Sequence, residues 1–303
     1  MNNEAVLIKD LTKWYGSFQA LYGVDLTVQK GEILGFLGPN GAGKTTTIRC
    51  MLDQIRPTSG SIRLLGLNPQ QQPTAVQERV GYLPGELHLE GSMRVDALLG
   101  YLQELRGNQI SPDYFQDLVE RLELDTARKI KNLSSGNKQK IGVVQALMHQ
   151  PELLILDEPT SGLDPLMQQE VYRLLREAQS RGATVFFSSH ILSEVEALAD
   201  RVAIIRKGEI VEESTPGQLI EMALRRVVIS FQEPTDVSPL EDIEGVKVLS
   251  RGADSQATLQ VEGHMDQLIK ALAEYPVKDL QTASHSLEEI FLKYYRDQTQ
   301  EEN

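Results

Sequence analysis

The nine residues GPNGAGKTT, Gly38 to Thr46, constrain this chain more than any other stretch. They fit the spacing Gly-x-x-x-x-Gly-Lys-Thr, follow the apolar run ILGFLG (Ile33–Gly38) and lead into a helical segment, which is the setting such a loop requires. Glycines let the backbone wrap around a chain of phosphates with its N–H groups turned inward. Lys44 adds positive charge on the β- and γ-phosphates, and Thr45 is placed to ligate Mg²⁺. A glycine-rich turn with no ligand would need neither the lysine nor the threonine.

Two other apolar runs, LLILDE (Leu153–Glu158) and TVFFSS (Thr184–Ser189), read with ILGFLG as fully buried strands, each followed by a helix. That alternation predicts a mostly parallel sheet covered on both faces, with ligands gathering at the C-terminal ends of its strands. Asp157 falls at one such end, where it can hold the shell of a Mg²⁺ ion, and Glu158 beyond it can orient a water. His190 comes just past another strand end, within reach of a γ-phosphate. Between about residues 86 and 150, DALLGYLQELRG and PDYFQDLVERLEL give consecutive helices without a convincing strand, an inserted helical subdomain. It ends in LSSGNKQKIGVVQAL (Leu133–Leu147), a helix with Ile141, Val144, Leu147 and Met148 on its apolar side. Lys138 and Lys140 in or near its first turn add positive charge to a helix end that is already positive, so the start of this helix reads either as a site for an anion or as an ordinary serine-capped surface helix.

The composition narrows the function classes. The 303 residues carry a formal net charge of −13, which argues against general affinity for nucleic acid or anionic lipid. One cysteine, Cys50, excludes an internal disulfide and a multi-cysteine metal site. No apolar run approaches the roughly 18 residues of a membrane span, and the N-terminus lacks the basic-then-apolar pattern of a signal peptide, so a cytoplasmic chain is expected. After residue 224 the pattern changes. RVVISF and SQATLQVEG read as strands, and HMDQLIKALAEY as a helix with Met265, Leu268, Ile269 and Leu272 on one face. VKDLQTA and a final helix capped by Ser286, with Glu289 three residues on, complete a small α+β domain. The predicted division is therefore 1–224 and 225–303; the second part holds 8 basic and 15 acidic side chains, so −7 of the charge lies there.

In order along the chain, GPNGAGKTT, LSSGNKQK, LLILDEP, SGLD (Ser161–Asp164) and SSHIL resemble the motif series of the ATPase subunits of ATP-binding cassette (ABC) transporters, over about residues 5–224. The resemblance implies a P-loop NTPase cassette: an α/β fold with a mostly parallel sheet, an antiparallel N-terminal β portion and a helical subdomain. ATP and Mg²⁺ would be its cofactors. Gly38, Pro39, Asn40, Gly41, Ala42, Gly43, Lys44, Thr45 and Thr46 would carry the nucleotide's phosphates, and Tyr15 in KWYG would stack on adenine, with Trp14 beside it as the alternative. By the same resemblance Glu158 is the catalytic base, His190 the switch histidine, and Asp164 the residue that couples two sites. Ser134 and Gly136 then bind the γ-phosphate of ATP held by an opposite subunit, which answers which anion visits that helix start.

Two departures stand out. Family members read Leu-Ser-Gly-Gly-Gln at the signature; here Ser135 and Asn137 differ while Ser134 and Gly136 remain. In GYLPGELHLE the family's loop glutamine, which contacts Mg²⁺, falls at Gly85, leaving Glu86 as either a substitute metal contact or an ordinary exposed acid. The C-terminal part resembles the accessory domain of cassette ATPases serving bacterial drug and antibiotic exporters; its stripe of Leu287, Ile290, Phe291 and Tyr294 reads as core rather than as a partner surface. A guanine-nucleotide switch is excluded, because the nearest match to Asn-Lys-x-Asp, NKQK, ends in Lys140. The reading is an ATP-hydrolysing exporter subunit that pairs with a second cassette, forming in the simplest case a homodimer, and with a separate transmembrane permease that brings it to the inner face of the membrane. A non-hydrolysing ATP-gated module is the second reading, motivated by Gly85 and the altered signature.

Overall fold

The computed structural model describes residues 3–106, 110–222, 225–251, 255–261 and 265–282. The chain divides into two compact units between Glu213 and Ser214, ahead of the boundary at 224 expected from the change in pattern.

In the first unit, β1 (Glu4–Tyr15) and β2 (Phe18–Gln29) form a long antiparallel hairpin, and β3 (Ile33–Leu37) runs through the glycine-rich loop into α1 (Lys44–Met51). β4 (Ser59–Leu64) returns to pair with β1, giving a three-stranded antiparallel sheet in the order β2-β1-β4. After α2 (Pro73–Arg79) and β5 (Val80–Leu83) come three helices, α3 (Val95–Arg106), α4 (Pro112–Arg121) and α5 (Ser135–Leu147). β6 (Leu153–Asp157), α6 (Pro165–Ser180), β7 (Thr184–Ser189), α7 (Leu192–Leu198), β8 (Arg201–Arg206) and β9 (Glu209–Ser214) complete the unit. The larger sheet has the order β5-β6-β7-β3-β8-β9, and its pairs from β5 through β8 are parallel.

The three apolar runs behave as their composition dictates. Every residue of β3, β6 and β7 is buried, as a strand covered on both faces requires. Phe36 and Phe186 lie on neighbouring strands with ring centroids 5.3 Å apart, and burying side chains of this size contributes about 1.5–3 kcal/mol each. The order matters for function: β7 lies between β3 and β6, so Leu37 pairs with Ser189 and Asp157 with Ser188. Three strand ends thus converge, as expected of the ligand edge of a parallel sheet.

No strand lies between residues 86 and 150 among the described residues, in line with a helical insertion. α5 carries Ile141, Val144, Leu147 and Met148 inward, but it is buried more widely than an amphipathic surface helix, because it packs against β5, α3 and α4. Lys140 in its second turn is buried with it.

The second unit contains α8 (Pro216–Met222), β10 (Arg225–Phe231), β11 (Val246–Arg251), β12 (Gln256–Val261), α9 (Asp266–Leu272) and β13 (Val277–Thr282). Its four strands are antiparallel in the order β11-β12-β10-β13, with Val227, Ile229, Leu259, Leu268 and Leu272 in the core. β11 is an element the sequence reading did not resolve. Ile269, expected on the apolar face of α9, is 56% exposed, so the buried stripe of that helix is narrower than its periodicity suggested. The helix expected from Ser286, with Glu289 and the stripe Leu287 to Tyr294, lies outside the described residues.

Candidate functional site: the phosphate loop and the strand ends around it

The loop between β3 and α1 is shaped by what its glycines must approach. At Gly38 a Cβ would stand 2.4 Å from the Ile205 carbonyl oxygen, so no larger residue fits without moving backbone. Gly38 N donates to Ser189 O at 3.2 Å, and Ala42 N to Pro39 O at 3.1 Å, which closes the turn that α1 extends. Lys44 is 5% exposed; its Nζ donates to Gly38 O at 2.7 Å and Pro39 O at 3.3 Å, and lies 3.8 Å from Glu158 Oε1. Burial pulls the Lys44 ammonium below its usual pKa, while the Glu158 and Asp157 carboxylates act in the opposite direction.

The acidic pair ending β6 has two different surroundings. Asp157 is buried, accepting from Thr45 Oγ1 at 2.7 Å on one oxygen and from Ser188 Oγ on the other. Glu158 turns out of the strand in a left-handed conformation (φ 51°), with its amide donating to Ser188 O at 3.2 Å and Oγ at 3.1 Å. Gln139 of α5 donates to the Glu158 carbonyl at 2.9 Å, and His190 Nδ1 donates to Glu158 Oε1 at 3.1 Å. A carboxylate held by an imidazole and faced by a lysine, at the mouth of a phosphate-binding loop, has the geometry of a base that orients water.

An open cavity of about 310 Å³ runs along the loop and is lined by Asn40, Gly41, Gly43, Lys44, Thr45, Thr46 and Glu158, with Tyr15, Phe18 and Ala20 on its other side. Of the expected phosphate-loop residues, Gly38, Pro39 and Ala42 do not line it. Trp14 does not line this cavity, whereas Tyr15 does. Phe18, 66% exposed and cross-strand partner of Tyr15 at the hairpin tip, was not singled out from sequence; the only signal for it was an aromatic three residues after Tyr15.

Other predicted residues lie outside the cavity. Ser134 is the exposed N-cap of α5, its Oγ accepting from Asn137 N at 3.3 Å. Gly136 is buried against the Gly162 carbonyl, 2.4 Å from where its Cβ would be. Asp164 caps α6, accepting from Leu166 N and Met167 N at 3.1 Å each. Gly85 faces Asp157, for a Cβ there would stand 3.0 Å from Asp157 Oδ2. Glu86 is exposed and lines a second cavity of about 550 Å³, shared with Thr45 and Gly85. Among the described residues no three acid, histidine or cysteine side chains gather into a metal cluster.

A Gly-x-x-x-x-Gly-Lys-Thr loop between strand and helix, with a buried aspartate ending a neighbouring strand and bonded to the loop threonine, defines a P-loop nucleoside-triphosphatase. A family model described as ABC transporter matches residues 21–161. The bacitracin transport ATP-binding protein BcrA of Bacillus licheniformis is 43% identical over 212 residues, 67% of each chain. The daunorubicin resistance ATP-binding protein DrrA3 of Streptomyces coeruleorubidus is 32% identical over 305 residues, 96% of each chain. The solved structure of an ATP-binding subunit of an ABC transporter superposes with a TM-score of 0.65 at 28% identity, covering 71% of this chain and 91% of that one. The chain belongs to the ABC transporter family as one of its ATP-binding subunits, an ATPase that powers an exporter. Subunits of this kind dimerise and partner with transmembrane permeases; no helix among the described residues is long and apolar enough to cross a membrane.

Proposed function

We propose that this chain hydrolyses ATP at the mouth of the β3–α1 loop, in a homodimer whose closure drives a separate permease. The observation that carries this reading is the convergence of Lys44 and His190 on Glu158, beside the Thr45–Asp157 contact. The donor chemistry fits Mg²⁺: a threonine hydroxyl and a carboxylate oxygen already 2.7 Å apart are the hard oxygen ligands that ion takes beside a phosphate chain. Thr45 and Asp157 would hold the ion, which would supply positive charge against the phosphate oxygens.

The loop amides from Gly38 to Thr46 cradle the phosphates, and Lys44 turns from its own loop carbonyls to the β- and γ-oxygens. Tyr15 stacks on the adenine with Phe18 beside it. Glu158 takes the proton of the attacking water, and His190 keeps that carboxylate oriented while reaching the γ-phosphate. Ser134 and Gly136 complete the site from the opposite subunit, and Asp164 couples one site to the other. The cassette motifs end well before both 224 and the division after Glu213, so the functional unit in this reading is the first one, 1–224 by sequence, with 225–303 as the accessory part. The relatives named for bacitracin transport and daunorubicin resistance support export of an antibiotic or similar drug. The subunit then works in the cytoplasm, held at the inner face of the membrane by its permease.

Glu158→Gln tests the chemistry. Its phosphate contacts stay while the base is removed, so nucleotide affinity should hold and turnover should fall by about 10²–10⁴. Lys44→Ala should instead weaken nucleotide binding itself. A Glu158→Gln protein that hydrolyses ATP at the parent rate overturns the assignment.

A further inference from the structure

Glu194 is an acid that the chemistry above does not use. It lies in the first turn of α7 and is 8% exposed, an unusual place for a carboxylate unless its oxygens are satisfied. Both are taken by hydroxyls: Thr160 Oγ1 donates to Oε1, and Ser189 Oγ donates to Oε2 at 2.5 Å. Hydrogen bonds of hydroxyls to a carboxylate are the short, strong kind.

The two donors come from different segments, and each segment leads to a working residue. Thr160, 2% exposed, is two residues past Glu158 in the turn that continues to Asp164; its carbonyl accepts from Leu163 N at 3.1 Å, and its hydroxyl also meets Tyr172 of α6. Ser189, 1% exposed, immediately precedes His190, and its hydroxyl also accepts from Ile191 N at 2.9 Å. Since His190 Nδ1 in turn reaches Glu158 Oε1, the contacts close a ring: Glu158, Thr160, Glu194, Ser189, His190 and back to Glu158. Glu158 needs such support. Its left-handed backbone is strained for a residue with a side chain, and such a conformation persists only where its surroundings over-determine it.

We propose that Glu194 is a positioning residue for hydrolysis: its carboxylate clamps the Glu158–Asp164 turn to the His190 turn and so sets the spacing of base and switch histidine. Both of its oxygens are already taken by Thr160 and Ser189. Its removal frees two segments at once, so Glu158 and His190 lose register while the phosphate loop, held by its own bonds, keeps its hold on ATP. The inference rests on the roles assigned above to Glu158 and His190. The role of Glu158 stands or falls on Glu158→Gln, so the two ideas fail in different experiments.

The test is steady-state ATP hydrolysis by the full chain, with nucleotide-binding stoichiometry measured on the same sample so that rates are expressed per competent site. Glu194→Ala is expected to lower kcat by about 10-fold or more with the ATP dissociation constant and KM within about 3-fold of the parent, the signature of an interaction used only in the transition state. Glu194→Gln, whose amide can accept one hydroxyl and donate to the other, should recover at least half of the lost activity. Should Glu194→Ala not fold, Thr160→Val, nearly isosteric and lacking only the hydroxyl, gives the same reading. A variant whose kcat per competent site stays within 2-fold of the parent overturns the proposal, leaving Glu194 a packing element. An ATP affinity that falls in step with kcat also overturns it, because the carboxylate would then be shaping the phosphate loop through the Ser189–Gly38 contact.

Discussion

Replacing Ser134 by Asp separates what the start of α5 does for folding from what it does for ATP. The serine is an exposed N-cap whose hydroxyl accepts from Asn137 N at 3.3 Å and from the Asn137 amide at 3.1 Å. Asp caps about as well as Ser, and a carboxylate at a helix N-terminus gains about 0.3–1 kcal/mol from the helix dipole, so Ser134→Asp should fold at least as stably as the parent. In a closed dimer the same carboxylate would face a γ-phosphate. Two like charges 4 Å apart repel by about 4 kcal/mol at an effective dielectric constant near 20, enough to shift closure by roughly 10²–10³. Gly136 is the wrong place for this charge: a Cβ there meets the Gly162 carbonyl at 2.4 Å, so any substitution also displaces the turn leading to Asp164. The assay is nucleotide occlusion in mixed dimers, alongside thermal denaturation of the variant. With Ser134→Asp in one subunit and Lys44→Ala in the other, both lesions fall on one site and the second is intact, so one nucleotide is occluded per dimer. With both changes in the same subunit each site carries one lesion, and none is occluded. Equal occlusion in the two arrangements, or parent-rate hydrolysis by a well-folded Ser134→Asp homodimer, would refute the shared site.

Further outcomes are expected at Arg121 and Glu86. Arg121 of α4 grips α6, donating to Glu170 at 2.6 Å and through two nitrogens to Glu177 at 2.8 Å each. Removing its bond to the buried Glu170 should cost about 1.5–3 kcal/mol in a denaturant titration at neutral pH. Its hydrogen bonds hold the Glu177 carboxyl below the usual 4.5, so their contribution is full above that pH and is lost as acid drives the pH down through the lowered value. Stability of the parent should therefore fall more steeply below about pH 5 than that of Arg121→Ala, and parallel pH profiles would contradict this. At the second cavity, Glu86→Ala should require several-fold more Mg²⁺ for half-maximal hydrolysis if Glu86 substitutes for the glutamine absent at Gly85, and an unchanged Mg²⁺ curve leaves Glu86 a surface acid.

What the sequence determined by itself is local. The phosphate loop was legible because its glycines, lysine and threonine act within nine residues, between a strand and a helix marked by their own periodicity. The buried runs ending at Asp157 and Ser189 were legible for the same reason, since a strand covered on both faces must be apolar throughout. Ser188, Gln139 and Glu194 were not. A serine at a strand end, a glutamine in a helix and a glutamate in a first turn each have ordinary local explanations. Their roles depend on β7 lying between β3 and β6, and on α5 and α7 packing where Gln139 reaches the Glu158 carbonyl and Glu194 reaches two turns at once. β11 is a short edge strand, only six residues on which to show a period, and Ile269 shares the apolar face by helical period yet stays exposed, because periodicity shows which side chains share a face but not how much of that face a neighbour covers. Strand order and side-chain partnership are settled by contacts between residues tens to hundreds of positions apart, and those form only when the whole sheet closes over its core.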